Sequence, residues 1–192
     1  MLLLPATSAA AEDTLVVTQQ LAGEALGSRI ETLEDPSGAW TVEQVSRPPL
    51  TKRFVRSRVD ASNYGLTKSA YWVRFKVDNR QSESQPWTLE LAYPPLDDIR
   101  LFVPGAAGSY ELRVTGDHHP FEQRDVSYRT FLFELEESPG IHTYYLRAQT
   151  TGSVSLPLRA WSAKTFLDHL MTELPPLWIF YGLMLVMAAY NL

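Results

Sequence analysis

The run Tyr71-Trp72-Val73-Arg74-Phe75-Lys76-Val77-Asp78-Asn79 decides the fold. Tyr71, Val73, Phe75 and Val77 alternate with Trp72, Arg74 and Lys76, the period of two expected of a strand with one buried face. Asp78-Asn79 then closes the run with residues that favour turns. The same alternation recurs downstream. Trp87, Leu89, Leu91 and Tyr93 alternate with Thr88, Glu90 and Ala92 until Pro94-Pro95, which cannot donate to a ladder. Ile99, Leu101 and Val103 oppose Arg100 and Phe102 before Pro104-Gly105, and Phe131, Phe133 and Leu135 oppose Thr130, Leu132 and Glu134. Ser138-Pro139-Gly140 turns the chain into a run from His142 to Gln149. Val154, Leu156, Leu158 and Ala160 read as one last strand, with Pro157 marking an edge or a bulge. Upstream, Thr14 to Gln19 reads as a strand, whereas Pro36, Gly38, Pro48 and Pro49 interrupt the surroundings of Trp40 and Val42. Many short strands separated by turn signals predict an all-β fold, a β-sandwich of the jelly-roll kind.

Helical spacing first appears near the C-terminus. Ser162 suits an N-cap, and Phe166, Leu167, Leu170 and Met171 follow at helical intervals, predicting a linker helix over 162–174. After Pro175-Pro176 an apolar run reaches Tyr190 without a charged side chain. A bilayer span needs about 20 such residues, so 175–192 reads as the start of a first transmembrane helix, truncated, with Trp178 and Tyr181 at headgroup level. The alternative is a buried C-terminal core helix. Residues 1–11 close on small residues before Glu12 and read as a signal-peptide remnant, the alternative being a frayed terminus. Between the two ends, 12–161 forms the β-sandwich.

The chain has 192 residues, 17 Lys plus Arg against 22 Asp plus Glu, and a net charge of −5, which argues against a general nucleic-acid binder. Hydrophobic residues at 45% and charged residues at 20% are the balance of one folded domain with a real core. With no Cys there is no disulfide framework and no thiolate metal site, and 4 His leave little imidazole chemistry. A cysteine-free domain between a signal and a span points to a bacterial periplasm, with the span in the inner membrane.

No G-x-S-x-G, H-E-x-x-H or phosphate loop occurs. Four groups of residues are candidates for binding. Asp97-Asp98 could hold a hard cation or simply be solvated. Asp60, Ser62 and Asn63, before Gly65, could present side-chain oxygens to Ca2+, although Asx and Ser turns share that composition. Asp117-His118-His119 could serve a metal or a pH switch, or be a polar loop. Trp72, Arg74, Arg100, Arg129 and Arg147 combine an aromatic face, which can stack on a sugar ring, with guanidinium forks, which bind carboxylates. They form the candidate ligand-binding set, for a small molecule or glycan. The competing reading packs Trp72 under loops and leaves the arginines to solvate a surface.

The stretch from Leu66 to Asn79 resembles the extracellular sensor domain, type 2, of the bacterial seven-transmembrane receptors with diverse intracellular signalling modules, the 7TM-DISM receptors. Leu89-Glu90-Leu91, Leu96 to Phe102, Gly116-Asp117 before Pro120-Phe121, Arg124, Tyr128-Arg129, Tyr144 to Thr150 and Leu158 to Trp161 are similar to the family in order. The resemblance implies a jelly roll resembling carbohydrate-binding modules, in the periplasm, ahead of seven membrane helices. It also implies a cytoplasmic histidine kinase or diguanylate cyclase as output, with hybrid kinases of the RetS and LadS type among the members it is similar to. The expected function is ligand sensing relayed through the membrane helices, without catalysis in this fragment. The rivals are a membrane-anchored glycan-acting hydrolase and a protein–protein module mediating a homodimer or a heterodimer with a related receptor.

Overall fold

The strand around Val73 sits at the centre of a computed structural model that describes residues 13–191. The elements run β1 (Thr14–Val16), β2 (Ala22–Ala25), β3 (Glu31–Asp35), α1 (Val42–Val45), β4 (Val55–Arg56), β5 (Ser62–Leu66), β6 (Ala70–Asn79), β7 (Gln85–Leu91), β8 (Asp98–Pro104), β9 (Tyr110–Thr115), β10 (Phe131–Glu137), β11 (Gly140–Gln149), β12 (Ser153–Leu156), β13 (Leu158–Trp161) and α2 (Ala163–Tyr190). One sheet has the order β4-β3-β6-β11-β8-β9, with β1 also on β6; a second has the order β10-β7-β13-β2, and β12 pairs with β5. β3 takes Ala70 to Arg74 of β6 antiparallel, and β1 takes Lys76 to Asp78 parallel, so the two share one edge of β6. The predicted all-β sandwich is what forms.

The alternation in β6 does what a period of two requires. Tyr71, Val73, Phe75 and Val77 point inward with Leu89, Leu91, Ile99, Leu101, Phe131, Phe133, Tyr144 and Leu146 to make the main core. Phe75 stacks on Tyr144 at 5.3 Å and Trp87 meets Tyr144 edge-on at 5.8 Å. Burying each such side chain is worth about 1.5–3 kcal/mol.

Both outer faces are also covered in part. Asp35, fully buried at the end of β3, accepts the Ser37 and Gly38 amides on Oδ1 and the Trp40 amide on Oδ2, turning the chain back across the larger sheet. Gln44 Oε1 accepts from the Thr41 amide at 2.9 Å to start α1. Val42, Val45 and Phe54 then lie over Leu33, Trp72 and Tyr145 as a second cluster. On the smaller sheet, Leu132, Trp161 and Phe166 form a third cluster with Val126, Tyr128 and Leu170, which docks the first turns of α2. Ser162 Oγ accepts from the Thr165 amide at 3.3 Å, as the predicted N-cap should.

Two boundaries differ from expectation. Val154 to Ala160 is not one strand at an edge: β12 pairs with β5, whereas β13 lies inside the smaller sheet between β7 and β2. Pro157 marks the change, because its missing N–H ends one ladder while its carbonyl accepts from Ala92 and leads into the next. The helix expected over 162–174 does not stop at Pro175-Pro176 but continues to Tyr190. Proline costs the carbonyls of Met171 and Thr172 their partners, yet its fixed φ is helical. Beyond this point Trp178, Ile179, Phe180, Leu183, Leu185 and Val186 are exposed. Among the described residues no helix is long and apolar enough to cross a membrane. The signal-peptide reading of 1–11 lies outside the described residues.

Candidate functional site

Trp72, Arg147 and Arg100 do share one face, because β6, β11 and β8 align them in a single cross-strand row. The arrangement does not make a stacking platform. Trp72 is wholly buried, its ring 5.4 Å from Phe102 beneath α1 and Phe54. Arg74 lies 4.4 Å over Phe54 and is held by Glu31 at 2.7 Å and by Thr51 Oγ1 at 2.7 Å, so it fastens the covering segment. Arg129 belongs to the opposite side, near Glu90 and the first turns of α2. The Trp72-centred sugar surface is therefore corrected: a tryptophan on the outward register of a strand became core because residues 40–54 cross over it.

The oxygen-rich loop does not converge either. Asp60 is exposed, Ser62 is buried against Ser57 Oγ at 3.0 Å, and Asn63 Oδ1 accepts from the Gly65 amide at 2.9 Å, an Asx turn. Neighbours on β5 point to opposite faces, so Ser62 and Asn63 cannot aim at one ion. Among the described residues no group of three or more His, Asp or Glu side chains could hold a metal ion.

The fold instead unites the two motifs that the sequence leaves apart. Asp117 N and His118 N donate to the carbonyls of Leu96 and Asp97 at 2.8 and 3.1 Å, laying the 116–119 loop along the start of β8. Gly116, at φ +144°, makes this possible, since a Cβ there would fall 2.2 Å from the Asp97 carbonyl oxygen. Asp98 becomes a hub. Its Oδ1 meets His119 Nε2 at 2.9 Å, and its Oδ2 accepts from Arg147 Nη1 at 2.9 Å and Arg100 Nε at 3.0 Å. Arg147, nearly buried, also donates to the Gly38 carbonyl at 2.8 Å and Gln149 Oε1 at 2.6 Å. Burial pushes its guanidinium below the ordinary value, against the opposing pull of Asp98.

Above this network opens a cleft of about 420 Å3 lined by Lys68, Asp97, Asp98, His118, Gln149 and Thr150, with Thr151 at its side. Asp97 Oδ2 takes the Thr151 amide at 2.7 Å and the Thr151 hydroxyl at 3.0 Å. Asp97 Oδ1 faces His118 at 3.8 Å. The Thr151 amide is the main cause holding the Asp97 carboxyl below the usual carboxylate range; the Thr151 and Thr150 hydroxyls and His118 help, against burial. An anionic carboxylate, an ammonium, an imidazole and two threonines meet here on four different loops. Such a set can grip a small ligand bearing hydroxyl or charged groups. Lys68, Gln149 and Thr150 lie in stretches that resemble the family but were not marked as binding residues, and Thr151 carried no signal; Asp97-Asp98 and Asp117-His118-His119 were each candidates, and nothing in the sequence brought them together.

A family model described as 7TMR-DISM extracellular 2 matches residues 27–162. No curated protein matches the chain.

Proposed function

The chain belongs to the 7TMR-DISM extracellular 2 family, a periplasmic sensor domain of transmembrane receptors, and from that premise we propose that the cleft beside Asp97 is where this sensor takes its ligand. The observation that carries the reading is that cleft: about 420 Å3, at the low end of the usual pocket range, with a few convergent polar groups on a rigid sheet end. A polyhydroxylated small molecule, a neutral or acidic saccharide above all, fits hydrogen-bond partners of both signs. No catalytic step is assigned to the domain. The output of the receptor is a histidine kinase or diguanylate cyclase in the cytoplasm, reached through α2 and the membrane helices that follow it. A ligand shifts such an output only by its differential affinity for two states of the receptor, and α2, docked on the smaller sheet, is the element those states would differ in.

The test is thermal unfolding of the 192-residue chain with neutral sugars, acidic sugars, calcium and a chelator at fixed protein concentration. Binding to the native state alone adds about 2.7 kcal/mol at a ligand concentration of roughly 100 Kd. A saccharide is expected to raise Tm, and Lys68→Ala and Asp97→Asn to remove most of the rise. No shift with any saccharide, or a shift indifferent to both variants, would overturn the assignment.

A further inference from the structure

We infer that the corner where β10 passes into β11 is a proton-operated latch: Glu137 of the smaller sheet and His142 of the larger share a proton that keeps the corner closed, and its loss opens it. The contacts cross from sheet to sheet. Glu137 ends β10 opposite Gln85 of β7, whereas His142 and Tyr144 lie two apart on β11 and so point to one side. Glu137 Oε2 accepts from the Tyr144 hydroxyl at 2.6 Å, and Oε1 lies 2.5 Å from His142 Nδ1, near enough for one proton to serve both atoms. The Glu137 side chain is 1% exposed and that of His142 34%, so the carboxylate is the member that water does not reach. Tyr144 carries the bond into the core, where its ring stacks on Phe75 and meets Trp87.

With that proton in place the pair is neutral overall, whichever atom holds it. Without it a buried carboxylate keeps the Tyr144 hydroxyl and a neutral imidazole as its hydrogen-bond partners, and an uncompensated buried charge is costly. Asp78 on β6 is a further acid acting on Glu137, and Glu136 lines the same corner. Arg113 of β9 is the cation that acts on Tyr144, but it is bound to Glu111 and Asp125. Burial pushes the Tyr144 hydroxyl up, so it stays a proton donor, and it pushes the Glu137 carboxyl up as well. Because two bases can hold the proton, the pair keeps it to higher pH than Glu137 alone would.

The fold supplies a way out for the charge. A cavity of about 270 Å3 lies beside the pair, lined also by Pro104, Gly105, Ala106 and Ser138. Swinging the exposed Ser138-Pro139 turn outward brings the carboxylate to water through this cavity at the cost of the bonds to Tyr144 and His142. The backbone beneath stays pinned to β6, because Asn79 Nδ2 donates to the Glu83 and Glu137 carbonyls at 2.8 Å. The opening is therefore local. The cavity shares Pro104 and Glu136 with a groove of about 520 Å3 that reaches Ala163, the first residue of α2, so the latch adjoins the start of the helix that leaves the domain. It closes while the proton is present and opens as pH rises. This device is separate from the cleft beside Asp97 and needs no ligand there.

The experiment follows amide exchange of the 192-residue chain in detergent micelles from about pH 5 to 9, corrected for the intrinsic pH dependence of exchange. Protection over 136–142 is expected to fall about tenfold or more as pH rises, while that around Val73 and Leu146 holds. Glu137→Gln is expected to abolish the fall, and Glu122→Gln, an exposed acid elsewhere, to leave it as in the parent. His142→Asn is expected to move the fall to lower pH, since Glu137 alone then holds the proton; this variant carries the test should Glu137→Gln not fold, with near-UV circular dichroism reporting folding in each. Protection indifferent to pH in the parent, a fall on acidification, an equal loss around Val73, a fall that persists in Glu137→Gln, or an unmoved midpoint in His142→Asn would overturn the inference.

Discussion

Trp72 is an outward residue by strand register and a core residue by burial, and the difference is energetic as well as formal. Its indole fills the centre of the cluster beneath α1. Trp72→Ala is expected to cost about 3–5 kcal/mol in urea unfolding, while leaving saccharide affinity in the cleft unchanged where the variant is still folded. Glu137 makes the complementary case of a polar residue inside. It accepts from the Tyr144 hydroxyl at 2.6 Å and meets His142 Nδ1 at 2.5 Å, with Asp78 the further charge acting on it. Burial pushes its carboxyl above the ordinary value, and the bonds from Tyr144 and His142 pull it back only in part. A carboxyl raised by folding favours the folded state while protonated. Its contribution is whole below the ordinary value and is lost as pH rises through the raised one. The stability of the parent relative to Glu137→Gln should therefore fall as pH rises above the ordinary carboxyl range, measured by urea midpoints; a difference that grew with pH would reverse the sign.

Among the elements, α2 is held differently from the strands. It contributes no ladder bonds, and its grip on the domain includes the Ser162 cap, the bonds from the Ser162 amide and the Thr165 hydroxyl to the Leu21 carbonyl, the His169 ring on Trp161, and Phe166 and Leu170 packed with Trp161, Leu132 and Tyr128. Phe166→Ala removes the largest helix side chain from that contact. Amide exchange over 163–170 is expected to quicken by at least tenfold while that of β6 and β11 stays slow, since a helix segment docked by few contacts opens locally before the core. Equal acceleration in both would show helix and sandwich to be one cooperative unit. β12 and β13 teach a related point. Period two runs unbroken through Val154 to Ala160, yet the chain changes sheet at Pro157 because alternation records which residues are inward and not which neighbour receives the hydrogen bonds.

On the scale of the whole molecule, Asp98 joins parts far apart in sequence. Through Arg147 it reaches the Gly38 turn, and through His119 the 116–119 loop, so the floor of the cleft and the segment covering the larger sheet share one network. Asp98→Ala strands a nearly buried guanidinium that keeps only Gly38 O and Gln149 Oε1. The expected loss is about 2–3 kcal/mol, below the roughly 3–5 of a fully buried broken pair because the Asp98 side chain is 21% exposed. Urea unfolding checks it, with Asp98→Asn expected to recover part of the loss and Asp98→Ala to weaken saccharide binding as well.

Hydrophobic alternation alone, in the runs around Val73, Leu89, Leu101, Phe133 and Leu146, determined that this chain is an all-β sandwich, because a residue facing a core must be apolar wherever its strand lies. Ser162 likewise announced the start of α2, since an N-cap is a local bond between near neighbours. The order of the strands, the burial of Trp72, the dispersal of Asp60, Ser62 and Asn63, and the meeting of Asp97-Asp98 with Asp117-His118-His119 were decided only by the tertiary structure. Each depends on segments tens of residues apart, such as residues 40–54 crossing β6 or Gly116 closing on Asp97. A side chain's face is written in its neighbours two positions away; what covers that face is set by whichever distant loop packs there.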